Sequence, residues 1–392
     1  MPEQSIRMRD VRLSRIREIM NYCALLRKEG RVILDFTNGE PDFVTPSCIR
    51  EAAASALDEG KTGYAPVVGV EALREAISAK LMRDNGLTYS ADEILITNGG
   101  TQSAFLAMAA FLNPGDEVLL PDPGYTIYPE IAKFCGASIR YYSLKGENGF
   151  EPDPAEIESL LSDKTKILLL ISPSNPIGSV ISMKTLENLA DLVRNRDMLI
   201  LSDEIYERIV YDGAKAPGIA ALPGMREKTI ILNGFSKTYA MTGWRLGYAA
   251  APEKYIEPMM RLNSITTCGA ANFSQWAAAA AILKAEPDVE RMRQEYEKRR
   301  DYVAERINAM DLISCRKPEG AFYAFIDVRQ TGMGAEEFVR FLIDEESCAL
   351  VPGTAFGKEG EGYVRLCFAK TIEQLGELMD RLERAIAKIR QH

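Results

Sequence analysis

A lysine stands among apolar and aromatic residues in the segment 233–248, N-G-F-S-K-T-Y-A-M-T-G-W-R-L-G-Y. The segment follows an apolar run at 229–232 of the kind that forms a buried strand. We expect Lys237 to lose hydration there, which penalises its ammonium form and lowers its pKa. Such an amine can form an imine with a carbonyl compound, and Ser236 and Arg245 beside it could hold an anion. From these residues alone, a loop lysine that reaches solvent beside a structural arginine remains the alternative.

Composition excludes several classes of protein. The 392 residues are 46% hydrophobic and 26% charged, enough for two or three domain-sized units with a large core. A net charge of -9 argues against a nucleic-acid or anionic-membrane partner. No apolar run approaches the ~20 residues of a membrane span, and residues 1–17 lack the apolar stretch of a signal peptide. Seven scattered cysteines without a C-x-x-C pair indicate a reducing compartment, so we expect a cytoplasmic protein.

The single histidine, His392, is the last residue. Its position excludes Ser-His-Asp and Cys-His catalysis and histidine-ligated zinc sites. We expect no metal site. Any proton transfer must then use lysine, a carboxylate, tyrosine, cysteine or a bound cofactor.

From residue 93 onward, strand-like runs alternate with turns and helices, a pattern typical of a parallel sheet. Each chemically rich cluster directly follows a strand-like run: N-G-G-T-Q at 98–102, P-D-P-G-Y at 121–125, S-P-S-N-P-I-G at 172–178, S-D-E-I-Y at 202–206 and the lysine segment. Open α/β sheets bind their ligands at the carboxyl ends of their strands. The glycine-rich turn before a helix could bind a phosphate, although two glycines alone fit a plain turn equally well.

The two ends of the chain are organised differently from its middle. A charged helical arm at 7–29 leads to a short strand at 32–36 and a rigid N-G-E-P-D-F turn at 38–43. A long helical region at 272–310 precedes strands at 320–328 and 362–368 and helices at 335–347 and 372–389. A return to strands after one long helix indicates a second, smaller α+β unit.

Together these residues meet the requirements of pyridoxal 5'-phosphate (PLP). The cofactor needs a lysine for its aldehyde, an acid beside its ring nitrogen and a grip on its phosphate. Lys237, the strand-end Asp203, the glycine-rich turn and the pair of Ser236 and Arg245 could supply them.

Five motifs carry a resemblance to a known family: S-K-T-Y-A-M-T-G-W-R-L-G-Y, S-P-S-N-P-I-G, S-D-E-I-Y, N-G-E-P-D-F and G-Y-A-P. They resemble class I/II aminotransferases of the aspartate aminotransferase family, which are fold-type I PLP enzymes, over residues 14–365. The resemblance implies an α/β fold: a large PLP-binding domain (47–285) with a mostly parallel seven-stranded sheet between helices. It also implies a small α+β domain made of both chain ends, 1–46 and 286–392, and ping-pong transamination between amino acids and 2-oxo acids.

The resemblance assigns roles around the cofactor. Lys237 matches the Schiff-base lysine that then moves the proton, and Asp203 matches the partner of the pyridinium nitrogen. Tyr206 and Asn175 would donate hydrogen bonds to the ring oxygen, and Tyr125 would stack on the ring. The phosphate would be held by Gly100, Thr101, Gln102, Ser236 and Arg245. Tyr64 matches a tyrosine that reaches the phosphate of the neighbouring subunit, which implies a homodimer with shared active sites.

The resemblance also assigns the substrate's contacts. Arg365, in Y-V-R-L-C-F, would take the substrate α-carboxylate as a bidentate fork, near Asn175, and Gly39 would close over the substrate. Members specific for acidic substrates often carry a lysine where Thr101 stands, and Ile16 replaces a small polar residue of some relatives. Both departures put strict aspartate specificity in doubt and favour an aromatic, apolar or broad range. A cation could still come from one of the arginines Arg12, Arg15 and Arg17.

Two alternatives stay open at this stage. A PLP-dependent lyase, cyclase or decarboxylase can use the same scaffold, because a fold does not fix a reaction. A non-catalytic regulator could keep the fold and bind a ligand. The full set of Lys237, Asp203, Arg245 and Arg365 argues against a regulator, as does the lack of a basic helix-turn-helix before the fold.

Overall fold

The computed structural model describes residues 3–13 and 15–391, so His392 lies outside the described residues. The strands are β1 Leu34–Asp35, β2 Ile94–Thr97, β3 Glu117–Asp122, β4 Ser138–Ser143, β5 Thr165–Ile171, β6 Leu199–Asp203, β7 Thr229–Gly234, β8 Gly247–Ala250, β9 Ser314–Cys315, β10 Tyr323–Asp327, β11 Cys348–Ala349, β12 Val351–Pro352 and β13 Tyr363–Cys367. The α-helices are α1 Ile16–Lys28, α2 Ser47–Asp58, α3 Glu71–Lys80, α4 Gly100–Phe111, α5 Ile127–Cys135, α6 Pro154–Leu160, α7 Met183–Val193, α8 Glu253–Thr266, α9 Asn272–Lys284, α10 Glu286–Asn308, α11 Ala335–Glu346 and α12 Ile372–Ile389.

The large domain is built on a seven-stranded sheet with the order β2-β8-β7-β6-β5-β3-β4. Strand β8 runs antiparallel to both its neighbours, and the other pairings are parallel. Strand β2 therefore points the same way as the parallel strands, and all the carboxyl ends except that of β8 meet at one edge. The predicted mostly parallel sheet is confirmed, and its carboxyl edge collects the chemically rich clusters.

Helices cover both faces of this sheet. Leu168 and Leu170 of β5 pack in one apolar cluster with α7, whereas Ile167 and Leu169 pack on the opposite face with α4 and α5. Successive side chains of a strand point to opposite faces, so a continuous apolar run is the signature of a strand buried on both. The rigidity of this core fixes the loops that follow each strand.

The small domain is formed by both ends of the chain, as predicted. Strands β12, β13, β10 and β9 form an antiparallel sheet, and β1 pairs in parallel with β11 through Leu34 and Cys348. The N-terminal segment is thereby joined to the C-terminal part. The domain boundaries 1–46, 47–285 and 286–392 stay predictions; the last falls at the single residue, Ala285, between α9 and α10.

Two predicted helices differ in extent from those observed. The region 272–310 is two helices, because Pro287 suits the first turn of a helix and starts α10 anew after Ala285. In the arm 7–29, only Ile16–Lys28 is α-helical, and Ile6–Met8 forms a short 3-10 turn. None of the described helices combines the length and the apolar character needed to cross a bilayer.

Candidate active site

A cavity of about 310 Å³ opens at the carboxyl edge of the seven-stranded sheet, where the small domain faces it. Twelve of the fourteen predicted site residues line it: Ile16, Gly39, Gly100, Thr101, Tyr125, Asn175, Asp203, Tyr206, Ser236, Lys237, Arg245 and Arg365. The other two, Gln102 and Tyr64, are not among its lining residues. The sequence clusters therefore meet in one place.

Lys237 lies in the turn that follows β7. Its Nζ donates a hydrogen bond of 2.6 Å to the Gly39 carbonyl and lies 6.0 Å from the centroid of the Phe322 ring. Burial lowers the pKa of Lys237 to about 8. About a tenth of the Lys237 side chains are then free amines at pH 7, and this is the form that can attack an aldehyde.

Asp203 is the last residue of β6 and is buried. Its carboxylate accepts hydrogen bonds from the Tyr128 hydroxyl, at 2.6 Å, and from the backbone N–H of Ile205, at 3.2 Å. Burial raises the pKa of Asp203, and those hydrogen bonds and the charge of Lys237 oppose the rise. Among the described residues no side chain forms an ion pair with it, so a cationic ring nitrogen in the cavity would stabilise the carboxylate.

Three further side chains come from the loops after the parallel strands. The hydroxyls of Tyr206 and Tyr323 are 2.7 Å apart. Asn175 accepts a hydrogen bond of 3.0 Å from Arg365. Tyr125 lines the cavity and packs edge to face against Tyr128, with the ring centroids 6.3 Å apart.

The amino end of α4 forms an anion site. The backbone N–H groups of Gly100 and Thr101 have no acceptor among the described residues, and the helix end carries partial positive charge. Arg245 lies against it: a Cβ at Gly99 would be 2.6 Å from the guanidinium Nη2, so only glycine lets the arginine approach. Ser236 adds a hydroxyl that has no hydrogen-bond partner among the described residues. This donor set fits a phosphate.

Gln102 faces away from that site. Its Oε1 accepts a hydrogen bond of 2.6 Å from the backbone N–H of Asn98, and its Nε2 donates to Asn263 and Thr267 at 3.2 and 3.1 Å. The side chain thus ties the glycine-rich turn to α8. Its predicted contact with the phosphate stays a prediction, as does that of Tyr64, whose side chain is 94% exposed.

Arg365, on β13, is a buried cation on the side of the cavity that the small domain forms. Its guanidinium lies over the rings of both Tyr323 and Phe356, with Cζ 4.6 and 4.8 Å from their centroids. Its Nη groups donate to Asn175 and to the Thr37 carbonyl, whereas its buried Nε has no partner among the described residues. A buried unsatisfied donor is costly, so this arginine is prepared for a carboxylate.

Tyr128 and Tyr323 are the main site residues that sequence reasoning missed. Tyr128 stands three residues after Tyr125, one helical turn away, and that spacing could have identified it. Tyr323 faces Arg365 because β10 pairs with β13 in the register Tyr323 to Cys367. No local sequence signal specifies that register.

The cavity fits PLP on its own geometry. It combines a lysine of lowered pKa, a buried carboxylate that forms no ion pair with the described residues, and a cluster of anion donors at the amino end of α4. The orphaned Nε of Arg365 adds a place for a substrate carboxylate. Lys237 would hold the cofactor's aldehyde carbon, Asp203 its ring nitrogen and the α4 end its phosphate.

Comparisons with known proteins agree with this geometry. Residues 31–382 match the family described as aminotransferase class I and II. The chain is 42% identical to aromatic-amino-acid aminotransferase 2 of Thermococcus litoralis, covering 97% of this chain and 98% of that protein. It is 41% identical to an aspartate aminotransferase of Pyrococcus abyssi, covering 95% of each. The crystal structure of the Thermus thermophilus aspartate aminotransferase with maleate superposes with a TM-score of 0.94, at 36% identity over 98% of this chain and 100% of that one. This chain belongs to the class I and II aminotransferase family and is a PLP-dependent aminotransferase, acting on amino acids and 2-oxo acids.

Proposed function

We propose that the cavity residues act in the roles predicted from the sequence. When bound, PLP supplies an electron sink for the charge that develops on the substrate carbon. Lys237 is the base that moves the proton from that carbon, and Asp203 holds the ring nitrogen in its protonated form. Arg365 fixes the substrate through its carboxylate. The observation that carries this proposal is that Lys237, with its lowered pKa, shares the cavity with the Arg365 Nε, which has no partner among the described residues.

The hydrogen bond from Lys237 to Gly39 concerns the position of the amine before a substrate binds. The Gly39 carbonyl accepts from Nζ and so holds the amine at the boundary between the two domains. Thr37, two residues earlier, accepts from Arg365. One short loop thereby touches both the proposed base and the proposed carboxylate anchor, so substrate binding and the position of the base are linked through this loop.

We further propose that the enzyme accepts aromatic and other apolar amino acids and is not restricted to aspartate. The apolar side chains of Ile16, Met20 and Ile127 line the cavity. In the part of the chain that the structure describes, the cations lining it are those of Lys237, Arg245 and Arg365, and each already has a proposed role.

The arginines of the N-terminal arm also bear on the proposed substrate range. Arg12 and Arg15 line a neighbouring cavity of about 360 Å³ rather than the first. Similar chains named for aromatic amino acids and for aspartate support a broad range over a strict one.

The first test is the half-reaction of the cofactor-loaded enzyme with single amino acids and no 2-oxo acid. We expect tyrosine, phenylalanine and leucine to convert the visible spectrum to a stable amine-form spectrum at least as efficiently as aspartate, with release of the matching 2-oxo acid. Aspartate favoured by more than about a hundredfold, or ~2.7 kcal/mol, would overturn the substrate proposal. Release of ammonia or a side-chain fragment would overturn the transaminase roles in favour of a lyase.

We also propose a homodimer whose active sites are shared between subunits. Thr101 and Arg245 are exposed at the phosphate end, and an open groove of about 780 Å³, lined by Val44 and Trp244 among others, borders Arg245. Tyr64 is 94% exposed in the single chain, which is unusual for so large a ring. A partner's Tyr64 at this open end would complete the phosphate site.

Complementation tests the shared site. Tyr64→Ala and Lys237→Ala enzymes are mixed, exchanged and assayed at a cofactor concentration too low for the Tyr64→Ala enzyme alone. In a shared site, one site of the hybrid keeps both native residues, so we expect activity well above the sum of the parents. Activity equal to that sum, or a monomer by light scattering, would overturn the proposal.

The cytoplasm, expected from the scattered cysteines, remains the proposed compartment.

A further inference from the structure

Tyr323 lies where four separate parts of the chain meet. It opens β10 and is 1% exposed. Its hydroxyl is 2.7 Å from that of Tyr206, and its ring centroid is 4.6 Å from the guanidinium carbon of Arg365. Gly39 lies so close on another side that a Cβ at this position would clash with the Tyr323 hydroxyl oxygen. One side chain thus touches both the cofactor end and the substrate end of the cavity.

The ring of Tyr323 determines how Arg365 is presented. The guanidinium lies over this ring and over that of Phe356, and such a contact attracts a cation and restricts its rotation. Asn175 accepts a hydrogen bond from one Nη of Arg365, and the Nε has no partner among the described residues. Removing the ring would free the guanidinium to tilt and would spoil the fork for a carboxylate.

The hydroxyl of Tyr323 acts on Tyr206 instead. A phenol has one donor hydrogen and two acceptor positions. In its proposed role Tyr206 donates its hydrogen to the cofactor's ring oxygen, so between the two hydroxyls Tyr323 must be the donor. A hydroxyl that accepts a hydrogen bond becomes a stronger donor itself. Tyr323 therefore strengthens and orients the hydrogen bond that Tyr206 makes.

We propose that Tyr323 is a positioning residue with two separable roles: its ring orients Arg365 for the substrate carboxylate, and its hydroxyl strengthens the hydrogen bond from Tyr206 to the cofactor. This inference rests on the proposed role of Tyr206.

Tyr323→Phe tests the hydroxyl, because it keeps the ring. We expect kcat to fall about five- to tenfold, as for a lost hydrogen bond, with KM for the amino acid changed by less than about twofold. The pH midpoint of the bound cofactor's visible spectrum should rise, because a weaker donor stabilises the anionic ring oxygen less. An unshifted midpoint would overturn this half of the proposal.

Tyr323→Leu tests the ring. The dissociation constant of 3-phenylpropanoate, an unreactive carboxylate probe, should rise about tenfold in the cofactor-loaded enzyme, and in Tyr323→Phe it should not. An unchanged constant in the leucine variant would overturn the ring's role. If that variant does not fold, Phe356→Leu removes the other ring that contacts the Arg365 guanidinium, and an unchanged dissociation constant there would equally overturn the role of the ring contacts.

Two controls separate the possible failures. Tyr142→Phe removes a buried hydroxyl whose hydrogen bond to the Leu169 carbonyl is also 2.7 Å, away from the cavity, and should change neither the midpoint nor the kinetics. Tyr206→Phe must itself shift the midpoint; if it does not, the proposed role of Tyr206 fails. If it does, Tyr323→Phe should add no further shift in the double variant, and additive shifts would overturn the inference.

Discussion

The two walls of the cavity are built on different principles. On the large-domain wall, Asp203 and Lys237 each stand within a few residues of the carboxyl end of a strand in one continuous sheet. On the small-domain wall, Arg365 and Tyr323 sit on two paired antiparallel strands and Gly39 on a loop from the other end of the chain. In the proposed roles, the first wall carries the cofactor's chemistry on a rigid edge, and the second carries substrate recognition on parts assembled across the fold. Mutations on the two walls should therefore affect different kinetic constants.

The largest effect is expected from Lys237→Ala on the large-domain wall. In its proposed role Lys237 supplies both the covalent hold on the cofactor and the base, so without its amine turnover should fall by at least about 10⁴-fold. Steady-state assays and the visible spectrum of the purified protein measure both losses. Lys166→Ala, a partly exposed lysine paired with Asp197, is the matched control and should behave as wild type. Turnover above about one per cent would refute the assignment of the base.

Asp203→Asn should come next. The amide keeps an acceptor for the Tyr128 hydroxyl but carries no charge to hold the ring nitrogen protonated, so kcat should fall about 10²- to 10³-fold with bound cofactor retained. Glu204→Gln is the control, because that neighbouring carboxylate is also buried but accepts from Ser202 away from the cavity. Equal rate losses in both variants would mean that damage to the strand end, rather than the lost charge, explains the effect.

The walls also differ in how far the sequence predicts them. The strand-like runs predicted before the clusters at 172–178 and 202–206 correspond to β5 and β6, because burial on both faces leaves a continuous apolar run. Asp203 and Lys237 were predictable because they adjoin such runs. Tyr323 was not, because its contact with Arg365 depends on strand pairing between distant segments. The break at Ala285 was missed because helical periodicity continues on both sides of it.

The pH dependence of cofactor capture by the apoenzyme tests the lowered pKa of Lys237 on the large-domain wall. Burial lowers the pKa of Lys237 to about 8, so below that pH the side chain is a protonated ammonium that cannot attack. The rate constant of covalent capture should rise about tenfold from pH 6 to 7 and about fiftyfold from pH 6 to 8, and should level off above pH 8. Stopped-flow absorbance after mixing apoenzyme with PLP measures it. A midpoint near the ordinary lysine value would contradict the desolvated amine.

On the small-domain wall, Arg365→Lys should raise KM for the amino acid by about 10- to 100-fold, because an ammonium cannot form the planar two-bonded contact. The effect on kcat should be smaller, which is the reverse of the Asp203→Asn pattern. Arg329→Lys is the control: this arginine is also on the small domain and stacks on Tyr363, 5.1 Å away, outside the cavity. A loss confined to kcat would remove the distinction between the walls.

The smallest effect is expected at the ion pair that holds the Gly39 loop to the small domain. Asp42 accepts a hydrogen bond of 2.7 Å from Arg299, whose guanidinium also lies over Phe43. In Asp42→Asn the partner keeps its ring contacts but loses about 1 kcal/mol of charge attraction, so KM should rise about fivefold with little change in kcat. Glu40 marks the contrast, because its carboxylate accepts from Thr242 of the large domain. Glu40→Gln should therefore change kcat at least as much as KM, since it loosens the loop from the side of Lys237. If both variants change the same kinetic constant, KM or kcat, the Gly39 loop couples the two walls. Substrate recognition and proton transfer are then not separable across this cavity.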